Sequence, residues 1–333
     1  MVGVAVMCLL VACQPQGPEA RFQNYLSRLG RTLSVDVPTV NPPTLPRAPR
    51  TGQLQLDIQP GSLDALDFLA LSGCAVQVTI GKRNSSLGRL ARPSQRLLLE
   101  LEYLQLAPQC IIYQREQDRN ALADTLEQAW KLKRQHLPAL IFNATLGGEE
   151  YRALWHTPVT TGLYPRGTSS QVITALEAIN GQIRRWLAGD YQAHNRDFEI
   201  LLSEVAAGDG GALLKTLAIQ DAWLSAADTL LAERMAKGPL CTASTRPEAA
   251  TILPNVIRKY FIGEIQPDAA SLGRRYHTLL PPAAALEDLL NATLPQLYRD
   301  WQSTRNARFA QLIGAPRRHV EQLKLIQQSC ITL

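Results

Sequence analysis

The sequence has little net charge and few of the residues that mark fibrous or repetitive proteins. Lys and Arg number 34 against 29 Asp and Glu, so the formal net charge of the 333 residues is +5. An excess this small, spread over such a length, does not indicate a nucleic-acid binder. Gly and Pro, at 21 each, are too few for collagen or a low-complexity chain. Hydrophobic residues reach 46%, which excludes intrinsic disorder, because disordered chains combine low hydrophobicity with high net charge.

The chain also lacks the short motifs of the known enzyme classes. It has no H-E-x-x-H, no G-x-S-x-G, no S-x-x-K and no phosphate-binding Walker loop. The histidines are scattered, and none has a Glu three residues before it, so ferritin-like di-iron spacing is missing too. We expect each of them to be a helix-surface or capping residue: His136, His156, His194, His277 and His319. The sequence therefore predicts no catalytic residue, metal or cofactor, and it disfavours an enzyme while leaving a new enzyme class open.

The first twelve residues, Met1 to Ala12, carry no charge and are almost wholly apolar. As a helix they would span ~18 Å, short of the ~20 residues of a membrane crossing, and such a run at the N-terminus is typical of a signal peptide. Leu10-Val11-Ala12-Cys13 resembles the lipobox of bacterial lipoproteins, in which the chain is cut after a small residue and the cysteine thiol accepts a diacylglycerol. Residues 1–12 are therefore predicted to be a lipoprotein signal peptide, and Cys13 is predicted to be lipidated and to contact membrane lipid.

Two details of this N-terminus qualify the resemblance. No Lys or Arg precedes Cys13, whereas signal peptides begin with a basic region, and a start codon upstream of Met1 would account for the difference. The alternative is an apolar N-terminal strand with a buried cysteine. Gln14, rather than Asp, follows the cysteine, and by resemblance to Gram-negative lipoprotein sorting this favours the outer membrane over the inner one.

The cysteines agree with an exported protein. The chain has six, and removal of the signal peptide and lipidation would leave four: Cys74, Cys110, Cys241 and Cys330. Four cysteines allow three pairings. We predict Cys74–Cys110 and Cys241–Cys330, because each pair then lies within one half of the chain, in an oxidising compartment. The alternative is four isolated buried thiols; no C-x-x-C indicates a zinc or thioredoxin-type site.

The chain divides into a short N-terminal part and a long helical part. Residues 17–33 carry apolar side chains every three or four positions, the pattern of one face of an amphipathic helix. Five prolines follow between residues 38 and 49, which predicts an extended segment, either a surface strap or a spacer. We interpret residues 13–52 as a tether formed by these two parts. Residues 53–333 are the predicted helical domain, with a division into two lobes considered near residues 157–167.

Apolar stripes at helical spacing recur through this domain. The clearest is Val172, Leu176, Ile179, Ile183 and Trp186, which keeps one side of a helix apolar for more than three turns. The tryptophans lie among Leu and Ala at such spacings and are predicted core anchors rather than a sugar-stacking surface. Stripes separated by short breaks usually pack antiparallel. The predicted fold is all-α, an elongated antiparallel helical bundle with at most a minor β-hairpin near the N-terminal third.

Three stretches near the N-terminal third are less clear. Leu54, Leu56 and Ile58 alternate with polar residues, which predicts a short strand. Ser62 is predicted to cap a helix that reaches Leu71. Residues 74–80 alternate as a strand would, yet they fit a continued helix equally well.

The segment between residues 81 and 100 gathers five cations before its first acidic residue. Its candidate anion-binding residues are Lys82, Arg83, Asn84, Ser85, Arg89, Arg92 and Arg96. Arginines donate bidentate hydrogen bonds to phosphate and carboxylate groups, so the segment suits a phospholipid head group or an acidic glycan. The alternative is a capped turn whose arginines hold neighbouring helices through carboxylates such as Glu100 and Glu102.

The lipobox at Cys13, the stretch Arg83-Asn84-Ser85-Ser86-Leu87-Gly88 and the following Pro93-Ser94 together resemble a gammaproteobacterial lipoprotein family, the domain of unknown function 3080. The resemblance extends from about Phe22 to Cys330. It implies an envelope lipoprotein and no established activity.

The leading hypothesis is a membrane-anchored, periplasm-facing lipoprotein of the cell envelope, in the outer membrane. It would act as a helical scaffold or adaptor in envelope assembly or maintenance, with an envelope protein or a glycan such as peptidoglycan as its partner and no nucleic acid. The alternative is a binding module for an anionic envelope molecule through the basic segment between Lys82 and Arg96.

Overall fold

A computed structural model describes residues 18–58, 71–160 and 164–331 of the chain. The predicted signal peptide, Cys13 and the helix predicted to begin at Ser62 lie outside these residues. Regular structure in the described residues is helical without any strand, and a single antiparallel bridge joins Thr242 to Thr245. The all-α helical bundle predicted from the sequence is confirmed.

The helices of the described residues range from four to 27 residues in length. They are α1 (Pro18–Leu33), α2 (Thr51–Leu54), α3 (Ala75–Asn84), α4 (Ser86–Arg89), α5 (Pro93–Glu116), α6 (Asn120–Ala144), α7 (Glu149–Leu154), α8 (Gln171–Leu187), α9 (Asn195–Ala206), α10 (Gly210–Ala236), α11 (Glu248–Val256), α12 (Gln266–Leu289), α13 (Gln296–Ile313) and α14 (Ala315–Ile331). A π-helix, Ile257–Ile265, joins α11 to α12 without a break, and a 3₁₀ turn, Asn291–Thr293, precedes α13.

The helices form where the apolar stripes predict them. In α8 the side chains of Val172, Leu176, Ile179, Ile183 and Trp186 are all buried. Pro295 directly precedes α13, where a proline ahead of the first helical residue does not interrupt the hydrogen bonds of the helix.

The N-terminal part of the chain is packed onto the body of the protein. Tyr25, Leu26 and Leu29 of α1 are buried against α10, α11 and the π-helix. The proline-rich segment runs without helix over residues 34–50, and its Leu45 packs against the central core. The described part of the predicted tether is therefore a core helix followed by a strap rather than a spacer.

The strand predicted at Leu54 to Ile58 is wrong. Leu54 ends the single turn of α2, and residues 55–58 are extended but pair with no strand. The side-chain amide of Asn143 on α6 takes the place of a partner strand: it accepts from the Leu56 amide nitrogen and donates to the Leu56 carbonyl oxygen, both at 2.9 Å. Of the two possibilities for residues 74–80, the structure has the helix, α3.

Three hydrophobic clusters make up the core of the described residues. The central cluster draws on α5 to α10, α12 and α13, and it includes both Leu154 and Val172, so residues 157–167 do not separate two cores. A second cluster joins α1, the end of α10, α11, the π-helix and α14, and a third joins α3, α5 and α6.

Each outer cluster contains one disulfide, and both predicted pairings are confirmed. Cys74, just before α3, is bonded to Cys110 on α5, and Cys241, in the loop after α10, is bonded to Cys330 on α14. The bonds close loops of 36 and 89 residues. In the described ranges, no helix combines the length and the apolarity needed to cross a bilayer.

Candidate functional site

The basic segment folds into a tight turn between α3 and α5. Ser85 caps α4, since its hydroxyl accepts from the Gly88 amide nitrogen at 3.1 Å and donates to the Lys82 carbonyl oxygen at 2.7 Å. Gly88 lies so close to the end of α3 that an added Cβ would be 2.2 Å from the Lys82 carbonyl oxygen and 2.5 Å from that of Arg83. The turn therefore requires glycine at this position.

Two arginines brace the turn through backbone carbonyls. Arg89 donates from Nε to the Asn84 carbonyl oxygen at 2.9 Å, and Arg96 donates from Nη2 to the Arg89 carbonyl oxygen at 2.6 Å. Pro93 starts α5, where its missing N–H costs nothing. A guanidinium has five N–H groups, so each arginine keeps most of its donors for other acceptors.

A buried carboxylate, Glu100 on α5, anchors two of the surrounding cations. Arg83 of α3 donates from Nε to Glu100 at 2.6 Å, and Lys133 of α6 donates to the other carboxylate oxygen. Burial lowers the pKa of Lys133 below its usual value, although the Glu100 charge opposes this shift. Lys82 pairs with Glu102 at the surface, with 3.0 Å between Nζ and Oε1. Lys82 and Arg83 thus have the helix-linking role that the sequence offered as the alternative.

These groups line a cleft of about 630 Å³ between α5, α6 and the extended residues 55–58. Its basic side is formed by Arg83, Arg89, Arg96 and Lys133, against two carboxylates, those of Glu100 and Asp57. Its apolar side consists of Leu56, Ile58, Pro93, Ala129, Leu132 and Leu140. The arrangement suits a ligand that combines an anionic group with a hydrocarbon portion, and we call it the basic cleft.

The structure brings together part of the predicted set. Arg83, Asn84, Arg89 and Arg96 line the basic cleft, whereas Ser85 and Arg92 belong to the turn outside it. Lys82 lines a separate, smaller groove of about 320 Å³ beside Glu102.

Sequence reasoning missed the contribution of α6 to the basic cleft. Ala129, Lys133, His136 and Leu140 recur at spacings of four, three and four, and all of them line the cleft. This spacing places them on one helix face, which is a signal that the sequence contains. Their partners lie some 33 residues away along the chain, as in the Lys133–Glu100 pair.

His319 corrects the expectation that every histidine lies at a helix surface or cap. Its side chain is fully buried, with Nδ1 2.5 Å from Asp228 Oδ1 and Nε2 2.7 Å from the Tyr25 hydroxyl oxygen. Burial, and then the nearby Asp228 charge, raise the pKa of Tyr25 well above its usual value. These three residues join α1, α10 and α14 inside the second cluster, and none of them lines the basic cleft.

A second cavity, of about 1100 Å³, lies between the proline-rich strap and helices α7 and α10. Its charged groups are mixed in sign, among them Arg47, Glu149 and Arg152. Lys215 is held by the Pro158 carbonyl oxygen at 2.8 Å, and Asp209 is paired with Arg275. Within the part of the chain that the structure describes, His, Cys, Asp and Glu side chains form no group of three suited to a metal ion.

The fold and the cleft define a class of protein: a helical body with two disulfides and one basic, partly apolar cleft. The chain belongs to the family described as protein of unknown function (DUF3080), which it matches over residues 22–330. This match confirms the domain of unknown function 3080 that the resemblance predicted. Comparisons with curated proteins and with solved structures found no significant match.

Proposed function

We propose that this protein is a lipid-anchored component of the bacterial cell envelope, held in the outer membrane through Cys13 and facing the periplasm. Its helical body acts as a scaffold or adaptor in envelope assembly or maintenance. The observation that carries the proposal is the pair of disulfides, since each joins cysteines 36 or 89 residues apart within a hydrophobic cluster. Disulfides of this structural kind persist in oxidising compartments such as the periplasm.

Mass spectrometry of the protein extracted from membranes tests this proposal. We expect an N-terminal peptide that begins at Cys13 and carries the mass of its acyl chains, with disulfide-linked peptides when reductant is omitted. A Cys13→Ser variant should leave the membrane fraction. A native product that keeps Met1, stays in the cytosol and has free thiols would overturn the proposal. Failure of in-cell crosslinking to yield a reproducible envelope protein or glycan would contradict the scaffold role alone.

A second function is favoured by one specific feature, the excess of cations in the basic cleft. Four cationic side chains face two carboxylates there, and an apolar wall lies opposite. We propose that the cleft binds an amphiphilic anion of the envelope, with Arg89 and Arg96 as bidentate donors to its charged group.

Dodecyl phosphate is a suitable probe for the basic cleft, with dodecyl maltoside as the uncharged comparison. We expect calorimetric binding of the phosphate that weakens at least about tenfold in the variant Arg89→Gln/Arg96→Gln, as loss of two charge-assisted contacts requires. Arg317→Gln is the matched control, because Arg317 is a highly exposed arginine on α14. Equal binding of both probes, or no effect of the double variant, would contradict an anion site.

A further inference from the structure

Two leucines stand out from the turn between α3 and α5. The side chains of Leu87 and Leu90 are each 85% exposed. They are three residues apart, with Leu87 in the single turn of α4 and Leu90 directly after it. Residues at this spacing are neighbours on a helical surface. Leu87 is flanked by Ser86 and Gly88, and Leu90 is followed by Ala91, so these small residues offer little side chain to cover the leucines. Isolated exposed apolar residues are common, whereas an adjacent and uncovered pair calls for a partner.

The turn holds these leucines in a fixed position. The Ser85 cap, the close approach of Gly88 to the end of α3 and the bonds from Arg89 and Arg96 to backbone carbonyls all act on the same few residues. Binding of a partner to the leucines therefore costs little backbone entropy of the turn, which favours binding through a small contact.

The stretch of chain around the leucine pair carries one sign of charge. The sequence has no Asp or Glu between residues 71 and 99, whereas Arg89, Arg92 and Arg96 are exposed beside the leucines. Arg83 and Lys82 are engaged by Glu100 and Glu102. An apolar tip flanked by exposed cations is complementary to the head groups and upper acyl region of an anionic leaflet.

A bilayer explains the size of this feature better than a protein partner does. A stable protein interface buries roughly 800 Å² on each side. Two leucines and three arginines cover much less, yet such a contact suffices at a membrane when another anchor keeps the protein nearby. This step rests on the proposed lipid anchor at Cys13, while the leucine contact itself can be measured without it.

We propose that residues 85–92, together with Arg96 in the first turn of α5, form a membrane-contact turn. Leu87 and Leu90 insert into the interfacial region of an anionic leaflet, and Arg89, Arg92 and Arg96 bind its phosphate groups. The turn is a second point of attachment, which fixes how the helical body is oriented on the membrane.

Flotation with vesicles tests the membrane-contact turn, using the full chain with Cys13→Ser so that acyl chains do not contribute. The vesicles contain phosphatidylglycerol and phosphatidylethanolamine, or phosphatidylcholine alone. We expect the parent chain to partition onto the anionic vesicles and Leu87→Ala/Leu90→Ala to lower this partitioning at least about tenfold. Arg92→Gln, which leaves the basic cleft intact, should reduce the preference for anionic vesicles about threefold or more.

Two further variants distinguish a loss of membrane contact from a loss of folding. Val159→Ala is the matched control, because Val159 is 91% exposed in the loop between α7 and α8, and it should float as the parent does. Leu90→Trp should increase partitioning, since Trp favours the membrane interface. Equal flotation of the parent and the double leucine variant, or equal partitioning onto both kinds of vesicle, would overturn the membrane-contact turn. Neither result bears on acylation of Cys13, which the mass measurement decides by itself.

Discussion

The residue that organises the basic cleft is Glu100. Its carboxylate is buried and receives Arg83 from one helix and Lys133 from another. Lys133 is also mostly buried, and its ammonium lies 4.8 Å from the centre of the Tyr103 ring. The two cations can lie in this low-dielectric environment because the negative charge of Glu100 lies between them.

Replacing Glu100 should therefore destabilise the protein strongly. We expect Glu100→Gln to reduce the free energy of unfolding by about 3 kcal/mol, because it leaves two cations without their counter-charge. Urea denaturation followed by circular dichroism measures this change.

Glu102→Gln is the control for Glu100, two residues further along α5. Glu102 pairs with Lys82 at the surface, so its loss should cost less than about 1 kcal/mol. Similar losses in the two variants would show that Glu100 is no more than a surface partner of Arg83.

A second buried carboxylate, Glu287 on α12, makes a pH-dependent contribution. Burial alone would raise its pKa, but the Arg305 charge, with hydrogen bonds from Arg305 and Tyr298, holds the pKa below its ordinary value of 4.5. Arg305 Nη1 and Nη2 both lie 2.9 Å from the carboxylate oxygens. The folded state binds this proton less readily than the unfolded state, so the pair stabilises the protein above about pH 4.5 and the contribution is lost as the pH falls through the lower folded-state pKa.

We expect Glu287→Gln to cost about 4 kcal/mol at pH 7, since it leaves Arg305 buried without a counter-ion. The difference from the parent should narrow as the pH falls below 4.5. Unfolding free energies measured from pH 7 to pH 3 provide the comparison. Glu321→Gln, which removes an exposed partner of Arg317, should track the parent at every pH. A constant difference over the whole range would contradict the assigned shift.

At the level of single residues, the sequence identified the important cations of the basic segment but gave little information about which residues they contact. Glu100 and Glu102 could be named as partners for the arginines of the basic segment because they lie within about two helical turns of the same connection. The pairing of His319 with Asp228 and Tyr25 spans 91 and 294 residues, and the local sequence contains no sign of it. Which helices meet is decided by packing of the whole chain, so residue roles that depend on it could not be predicted.

At the scale of elements, the helices and the turn between α3 and α5 follow from local chemistry. Apolar spacing predicted α1 and α8, and a capped turn before α5 was the alternative considered for the basic segment. The wrong strand at Leu54 to Ile58 shows the limit of this reasoning. Alternation indicates extended backbone but not its hydrogen-bond partner, and here that partner is a side chain, Asn143, rather than another strand.

The turn between α3 and α5 allows a test of whether glycine is required at position 88. We expect Gly88→Ala to destabilise the protein by about 2 kcal/mol or more, because the new Cβ would lie 2.2 Å from the Lys82 carbonyl oxygen and must push α3 and α4 apart. The shift should also weaken vesicle flotation by the membrane-contact turn. Thermal and urea unfolding, with amide exchange of residues 82–90, would locate the effect.

Gly181→Ala is the opposite case on α8. An added Cβ there meets nothing within 4 Å, and alanine in a helix interior is favoured over glycine by about 0.5–1 kcal/mol. The control should therefore be neutral or stabilising. A Gly88→Ala variant as stable as Gly181→Ala would mean that the turn is looser than the structure describes.

For the whole molecule, the sequence predicted the fold class and the disulfide pairs, but not how the N-terminal part is used. The cysteines could be paired because each half of the chain contains two. The burial of α1 against α10, α11 and α14 joins residues at opposite ends of the chain, and no local pattern distinguishes such a helix from a tether. A described helix that begins five residues after Cys13 is thus part of the core, so an anchor at Cys13 would hold the body close to the bilayer.

The two disulfides should determine in which cellular compartment the protein can fold. In the chain-entropy account, loops of 36 and 89 residues are worth about 4 and 5 kcal/mol. Their sum is comparable to the entire stability of a typical domain, about 5–15 kcal/mol. We expect Cys74→Ser/Cys110→Ser and Cys241→Ser/Cys330→Ser each to lower the urea midpoint markedly, and the chain lacking both bonds to be largely unfolded at 37 °C.

The comparison that decides this point uses the full chain with Cys13→Ser, oxidised or treated with reductant, so that neither acylation nor membrane attachment contributes. The loss on reduction should match the loss in the variant without both disulfides, because the two treatments remove the same loop closures. The Cys241→Ser/Cys330→Ser variant should lose amide-exchange protection first in α14, which ends at this bond and packs on α1 and α10. If reduced and oxidised chains unfold at the same urea concentration, the disulfides carry no stability, and folding of the protein does not depend on an oxidising compartment.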